Sequence, residues 1–243
     1  MKCIRQNDVE ISKEAMKKYD LETPKGRLDY ILQEKEGFFP LFSNSMFSAM
    51  GGMTEYNKVK KITCSDVDEF LKIEDLKKEN IDLEAVSKAK VYSLDGIFTT
   101  LISFVEMSKV LRLMRKDVDK LETAFEKIEK NFILFLETMN LNEVRCFSYA
   151  DPSAMLEILG KYHEKWVVTR FIDLMDKLSH LDIVIHICPT LFNVLKKIWD
   201  IQGKNIKRKK VESYQDEFFK EKGFKVVGGS CIKNKAEALY FYF

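Results

Sequence analysis

The clearest periodicity in the chain lies between Asp117 and Asn140, where Leu121, Phe125, Ile128, Phe132 and Phe135 recur at spacings of three and four. That is the repeat of an amphipathic helix, with Asp117 as its cap. Short unbroken apolar runs read differently, as strands buried on both faces. Ile183-Val184-Ile185 within Asp182–Cys188 is the strongest of these, ended by Pro189. Lys90–Leu94, stopped by Asp95-Gly96, and Glu143–Tyr149, stopped by Asp151-Pro152, are two more. Phe224–Val227 before Gly228-Gly229 and the aromatic Ala238–Phe243 complete the later set. Upstream, Phe38–Phe42 is a further strand candidate.

Helices are expected between these runs. Residues 8–36 read as two, with Pro24 able to open the second. Ser65 is a candidate N-cap for a helix reaching Asn80, with Asp66 and Asp68 in its first turn. Thr99 or Thr100 is expected to open a helix through Met114. A short helix to Leu159, a long one over 161–180, then Leu191–Ile201 and Lys209–Lys222 follow. From residue 90 onward strands alternate with helices, the pattern of parallel βαβ units. No repeat, low-complexity tract or linker interrupts it, so residues 1–243 are expected to form one α/β domain. About six strands are countable, where a closed eight-stranded barrel needs two more.

Charge narrows the function. Forty basic and 38 acidic side chains give a net charge of +2, which predicts no general attraction to nucleic acid. One basic cluster, Lys207-Arg208-Lys209-Lys210, reads either as a solvated loop and helix start or as a docking patch for an acidic partner or phosphate. Residues 1–20 are charged throughout, and no apolar run approaches the roughly 20 residues of a membrane helix. A cytoplasmic protein is the expectation, with Cys3, Cys64, Cys146, Cys188 and Cys231 as free thiols. Nucleotide-binding glycine loops, nucleophile elbows and zincin helices are absent from the sequence.

The residues with the most chemistry sit at strand ends. On a strand, alternation puts His186 and Cys188 on the same side. In parallel α/β proteins the C-terminal strand ends carry the active site. An imidazole and a thiolate there suit Zn²⁺, and Cys231, after the Gly228-Gly229-Ser230 turn, is a candidate third ligand. Three ligands leave an open position, the catalytic pattern. The opposing reading is a buried core pair, and from the residues alone both stand. Asp151 reads either as an acid, base or orienting group, or as a cap for the helix starting at Pro152. Glu55 and Tyr56, after Gly51-Gly52, are candidates for the same cleft. His163 and His180 are expected at the surface, and Cys146 in the core.

The order of three segments, VYSLDGIFTTL at 91–101, Tyr149-Ala150-Asp151-Pro152, and His186-Ile187-Cys188, resembles the uroporphyrinogen decarboxylase superfamily. The resemblance spans roughly residues 38–231 and is best between 90 and 200. It implies a TIM-barrel-like (β/α) fold, whole or incomplete. Within the superfamily, the His-x-Cys pair resembles the zinc-dependent branch that moves a methyl group from a methylated corrinoid protein to a thiol such as coenzyme M. Carried over, the resemblance implies Zn²⁺ on His186, Cys188 and Cys231, a corrinoid (cobalamin) co-substrate on a carrier protein, and a small thiol acceptor. Asp151 would orient the thiol or a water. Pro189 replaces the family's Gly, and the interval to Cys231 is shorter than usual. The arginine-rich start that holds porphyrin carboxylates is missing, which argues against uroporphyrinogen decarboxylation. The shortening leaves a second expectation beside catalysis: a non-catalytic relative that binds a corrinoid or its carrier, or a barrel completed by another subunit or a second copy.

Overall fold

The computed structural model describes residues 18–19, 38–39, 50, 64–81, 91–151, 153–201, 206–210, 222–228 and 237–241. The helices expected over 8–36 and most of Lys209–Lys222 fall outside these residues, as do Glu55, Tyr56, Cys3 and Cys231. Among the described residues, no helix is long and apolar enough to cross a membrane.

Among the described residues, seven strands form one sheet: β1 (Phe38–Phe39), β2 (Val91–Asp95), β3 (Cys146–Ala150), β4 (Val184–Ile187), β5 (Ile206–Lys210), β6 (Lys225–Gly228) and β7 (Glu237–Phe241). Their order is β1-β2-β3-β4-β6-β7-β5. The first five in that order run parallel. The last two add antiparallel pairings, β6 to β7 and β7 to β5. The chain is therefore α/β with a largely parallel sheet. Every residue of β3 and β4 is buried, as expected of parallel strands covered on both faces.

One correction concerns the basic cluster. Lys207–Lys210 is neither loop nor helix start but part of β5, with Lys207 opposite Tyr240 and Lys209 opposite Ala238. An exposed apolar edge at the aromatic strand Ala238–Phe243 would support completion of the barrel by another subunit. Instead β7 is internal, flanked by β6 and β5. The lysine-rich β5 takes the outer place, where charge discourages pairing with other chains.

Helices connect the parallel strands. α1 (Val67–Lys72) is capped by Asp66, one residue later than expected, through an acceptance from Glu69 N at 2.9 Å. α1 is short, and the stretch to Asn80 closes on a separate 3-10 turn at Lys78–Asn80. Between β2 and β3 lie α2 (Ile97–Phe104), α3 (Met107–Lys116) and α4 (Val118–Leu141). Asp117 caps α4 as its sequence predicts, accepting from Lys120 N at 3.2 Å. The periodic residues of α4, Leu121, Phe125, Ile128, Phe132 and Phe135, are fully buried against the sheet and α2.

Residues 73–76 are clamped onto α4 by polar contacts. Asp75 accepts from Lys127 Nζ at 3.2 Å, Lys130 Nζ at 2.6 Å and Asn131 Nδ2 at 3.0 Å. These cations and the amide hold the Asp75 carboxyl down at about 2. Between β3 and β4 come α5 (Leu156–Leu159), a 3-10 turn, a π-helical segment at Glu164–Thr169, and α6 (Arg170–Leu178). The short helix to Leu159 is as expected, but the long helix expected over 161–180 is divided into these separate turns. α7 (Pro189–Ile201) follows β4 directly, with Pro189 at its first position, where a missing N–H costs nothing. At the opposite rim, Asp182 ties neighbouring strands together, accepting from Arg145 Nη2 at 2.7 Å and Gly223 N at 2.5 Å.

Candidate functional site

The C-terminal ends of the parallel strands gather the residues singled out from sequence. β3 and β4 are in register with Ser148 opposite His186 and Tyr149 opposite Ile187. Cys188 N donates to Tyr149 O at 3.3 Å, just past the end of β4. Asp151 follows β3 directly, so Asp151 and Cys188 share one rim, with His186 in the last turn of the pleat below it. β6 runs parallel beside β4, with Val227 opposite His186. Its last residue, Gly228, therefore leaves the sheet at that rim. Cys231 lies beyond it, outside the described residues.

Asp151 is deeply buried and engaged. Its carboxylate accepts from Phe98 N at 3.1 Å, Thr99 N at 2.7 Å and Thr99 Oγ1 at 2.5 Å. Tyr149 Oη accepts from Ile97 N at 3.1 Å. Tyr149 of β3 and Asp151 just after it thus cap the N-terminus of α2, which has no capping side chain of its own. Asp151 caps a helix as one reading of the sequence held, but the neighbouring helix rather than the one after it. The partnership also fixes Gly96. A Cβ there would overlap the Asp151 carboxyl group, so only glycine lets the carboxylate reach the α2 amides. Burial pushes the Asp151 carboxyl up to about 6, against the opposing pull of its three donors, and nearby Asp95 adds to the rise.

His186 is 2% exposed, and its Nδ1 lies 3.1 Å from Ser148 Oγ on the adjacent strand. Cys188 is 8% exposed and serves as the residue before α7, with its carbonyl accepting from Phe192 N at 3.0 Å. A helix N-terminus favours negative charge, so a thiolate at Cys188 is in a supportive field. Imidazole nitrogen and thiolate sulfur, buried at one rim, are a donor set of the right softness for zinc. Among the described residues, no group of three or more His, Cys, Asp or Glu side chains could hold a metal. Gly228 is also a close approach: a Cβ would run into the Phe192 ring and lie 3.0 Å from Ile187 Cγ1.

The remaining candidates are spread out. Cys146 is buried mid-sheet as expected, and burial pushes its thiol up to about 12. His180 is exposed, 3.6 Å from Glu137. His163, expected at the surface, is buried beside the π-helical segment, where desolvation lowers its pKa.

Sequence reading missed a buried ionic cluster behind the sheet. Arg170 Nη1 donates to Glu129 at 2.5 Å, and Nη2 contacts Glu122. Lys177 reaches Glu129 at 3.2 Å. The Arg170 guanidinium also lies 4.8 Å from the Phe125 ring centre and 5.3 Å from that of Trp166. Desolvation lowers Arg170 to about 10 and raises Glu129. The sequence signal was there: Glu122 and Glu129 sit two turns apart on α4, as do Arg170 and Lys177 on α6.

No known protein family matches the chain, and no curated protein does. Among solved structures, a methyltransferase from Methanosarcina mazei has a similar fold, with a TM-score of 0.56 and 16% sequence identity. The likeness covers 77% of this chain and 65% of that one. The chain thus spans less than two thirds of that protein's length. At this identity the likeness speaks for the fold.

Proposed function

We propose that residues 1–243 form one TIM-barrel-like domain of the uroporphyrinogen decarboxylase type, incomplete as a barrel, that moves a methyl group from a methylated corrinoid protein to a small thiol. The observation that carries this reading is the meeting of His186, Cys188 and the end of β6 at one rim of a parallel sheet. The fold similarity to a methyltransferase supports it. His186, Cys188 and Cys231 would hold zinc. Bound there, zinc supplies the Lewis acidity that makes a thiol nucleophilic at neutral pH.

The chain's own residues do the rest. The N-terminus of α7 favours negative charge beside Cys188. Asp151 orients the thiol's distal group or a water, with a carboxyl that changes protonation at about 6, near the working range of an acid–base group.

Zinc content of protein purified without chelator tests the site. About one Zn²⁺ per chain is expected, lost when Cys188→Ser and Cys231→Ser are combined. Methylcobalamin demethylation with a panel of thiols tests the reaction, with activity expected to need both zinc and thiol and to vanish in His186→Ala. Retained zinc in the double variant removes the ligand assignment. A second reading is motivated by the short interval between Cys188 and Cys231: a non-catalytic relative that binds a corrinoid or its carrier protein. Zinc-loaded protein that captures a corrinoid protein without methylating thiols supports that one.

A further inference from the structure

Three successive amides open α2, and two residues at one strand end take them. Ile97 N donates to Tyr149 Oη at 3.1 Å, while Phe98 N and Thr99 N donate to the Asp151 carboxylate at 3.1 and 2.7 Å. The two acceptors differ in reach. Asp151 has a short side chain, so its carboxylate is held wherever those amides stand. Tyr149 is a long, rigid strut with only two side-chain torsions. Its root is fixed: Tyr149 O accepts from Cys188 N at 3.3 Å and the next carbonyl, Ala150 O, accepts from Gly96 N at 2.7 Å, which ties β3 to the strand on either side. Its ring is fixed too, edge-on to Phe132 of α4 at 6.0 Å and to Phe171 of α6 at 5.1 Å between ring centres. The residue is wholly buried. Burial, with the Asp151 charge adding to it, pushes the phenol well above its ordinary value, so the hydroxyl stays neutral. α2 carries no acid or base of its own, and the titratable groups facing the Asp151 carboxyl are Asp95 at the end of β2 and Tyr149 itself. A phenylalanine would pack the same space, so the oxygen at 149 is a specific polar choice.

We infer that Tyr149 is a positioning residue of the candidate site: its hydroxyl sets the start of α2 over the end of β3, and so fixes the amides on which the Asp151 carboxylate is held. Without the hydroxyl, Ile97 N loses its acceptor in a buried place, and the first turn of α2 can draw away from the carboxylate. Asp151 then keeps longer or fewer bonds to its ionised form, and its titration rises further. The inference rests on the reading above only for the task it gives Asp151, the orientation of a thiol or a water. The seat itself requires neither metal nor corrinoid.

The test uses the full chain labelled with ¹³C at its aspartate carboxyls and followed by NMR across pH, with Asp151→Asn assigning the signal. In wild-type protein the Asp151 carboxyl is expected to titrate at about 6. Tyr149→Phe keeps the ring and removes only the oxygen, and is expected to raise that midpoint by about half a pH unit or more. Thr99→Val, which removes a direct donor to the carboxylate, calibrates the rise. Should Tyr149→Phe fail to fold, Phe171→Leu loosens the ring while keeping the hydroxyl, and a smaller rise is expected. A midpoint that stays in place in Tyr149→Phe, or in Phe171→Leu where that variant stands in for it, overturns the inference. This readout needs no metal, corrinoid or thiol, so wild-type protein without methyl transfer counts against the proposed reaction alone. Where demethylation is observed, the acid limb of its pH profile is expected to move with the midpoint. A limb that stays put while the midpoint moves removes Asp151, and Tyr149 with it, from the reaction.

Discussion

The contact between Asp151 and the N-terminus of α2 makes a sharp, two-sided prediction. Removing the carboxylate in Asp151→Ala leaves Phe98 N, Thr99 N and Thr99 Oγ1 without their acceptor. A buried donor left unmade costs about 1–3 kcal/mol, so the hydrogen-bond loss is several kcal/mol. Opposing it is relief from burying a charge. The folded-state carboxyl titrates at about 6 rather than 3.8, so ionisation at neutral pH costs the fold about 3 kcal/mol. The stability this group contributes is full below about pH 4 and is lost as pH rises through about 6. The penalty of Asp151→Ala is therefore expected to be largest in mild acid and to shrink by about 3 kcal/mol between pH 4 and pH 7. Urea denaturation of both proteins across that range reads the difference, in which all other titrating groups cancel. Gly96→Ala adds a second axis. In the wild type its methyl group meets the carboxyl and is expected to cost about 1–3 kcal/mol. In the Asp151→Ala background that obstacle is gone, so the double-mutant cycle should show coupling of at least about 1 kcal/mol. Additive losses, or a penalty that does not change with pH, would refute the account of this contact.

Arg170→Ala leaves the buried Glu129 with Lys177 as its remaining cation and should cost up to about 3–5 kcal/mol, whereas Arg170→Met should cost clearly less; equal losses in urea melts would count against a buried ion-pair network. Asp75 contributes stability that is present above about pH 4 and lost as pH falls through about 2, so Asp75→Asn should flatten acid unfolding by less than about 1 kcal/mol after solvent screening. Gly228→Ala should destabilise through the Phe192 ring, and Phe192→Ala should relieve part of that cost; a thermal shift series without such relief contradicts the packing. Cys146 should resist alkylation in folded protein up to pH 9, because its thiol titrates at about 12, and mass spectrometry of the modified peptide reads this directly.

Much of the parallel sheet could be read from apolar runs. Lys90–Leu94 and Phe224–Val227 fall within a residue of β2 and β6, and Glu143–Tyr149 and Asp182–Cys188 contain most of β3 and all of β4. Strands buried on both faces leave an unmistakable apolar block, and α4 declares itself by period and cap. The start of α2 was not legible, because the groups that cap it come from Tyr149 and Asp151, more than fifty residues along the chain. β5 was hidden for a different reason. Its Lys207–Lys210 run lacks the alternation of a half-buried strand, and only its pairing with β7 makes it one. At the candidate site, His186, Cys188 and Asp151 were found because strand-end position is a sequence property. Tyr149 was not, because its significance lies in the amide that its hydroxyl meets on another element.

The outer place of β5 also has a consequence for how the protein is made. β5 emerges from the ribosome before β6 and β7, yet among the described residues its ladder partner is β7 alone. The nascent strand therefore has to wait, with its four basic residues unpaired in a ladder, until β7 has cleared the exit tunnel and slotted beside β6. Its charges suit that interval, since they keep an unpaired ribbon from finding a stranger's sheet first. Completion of this edge waits on β7, and a chain cut short before Glu237 would present β5 as a strand without a berth.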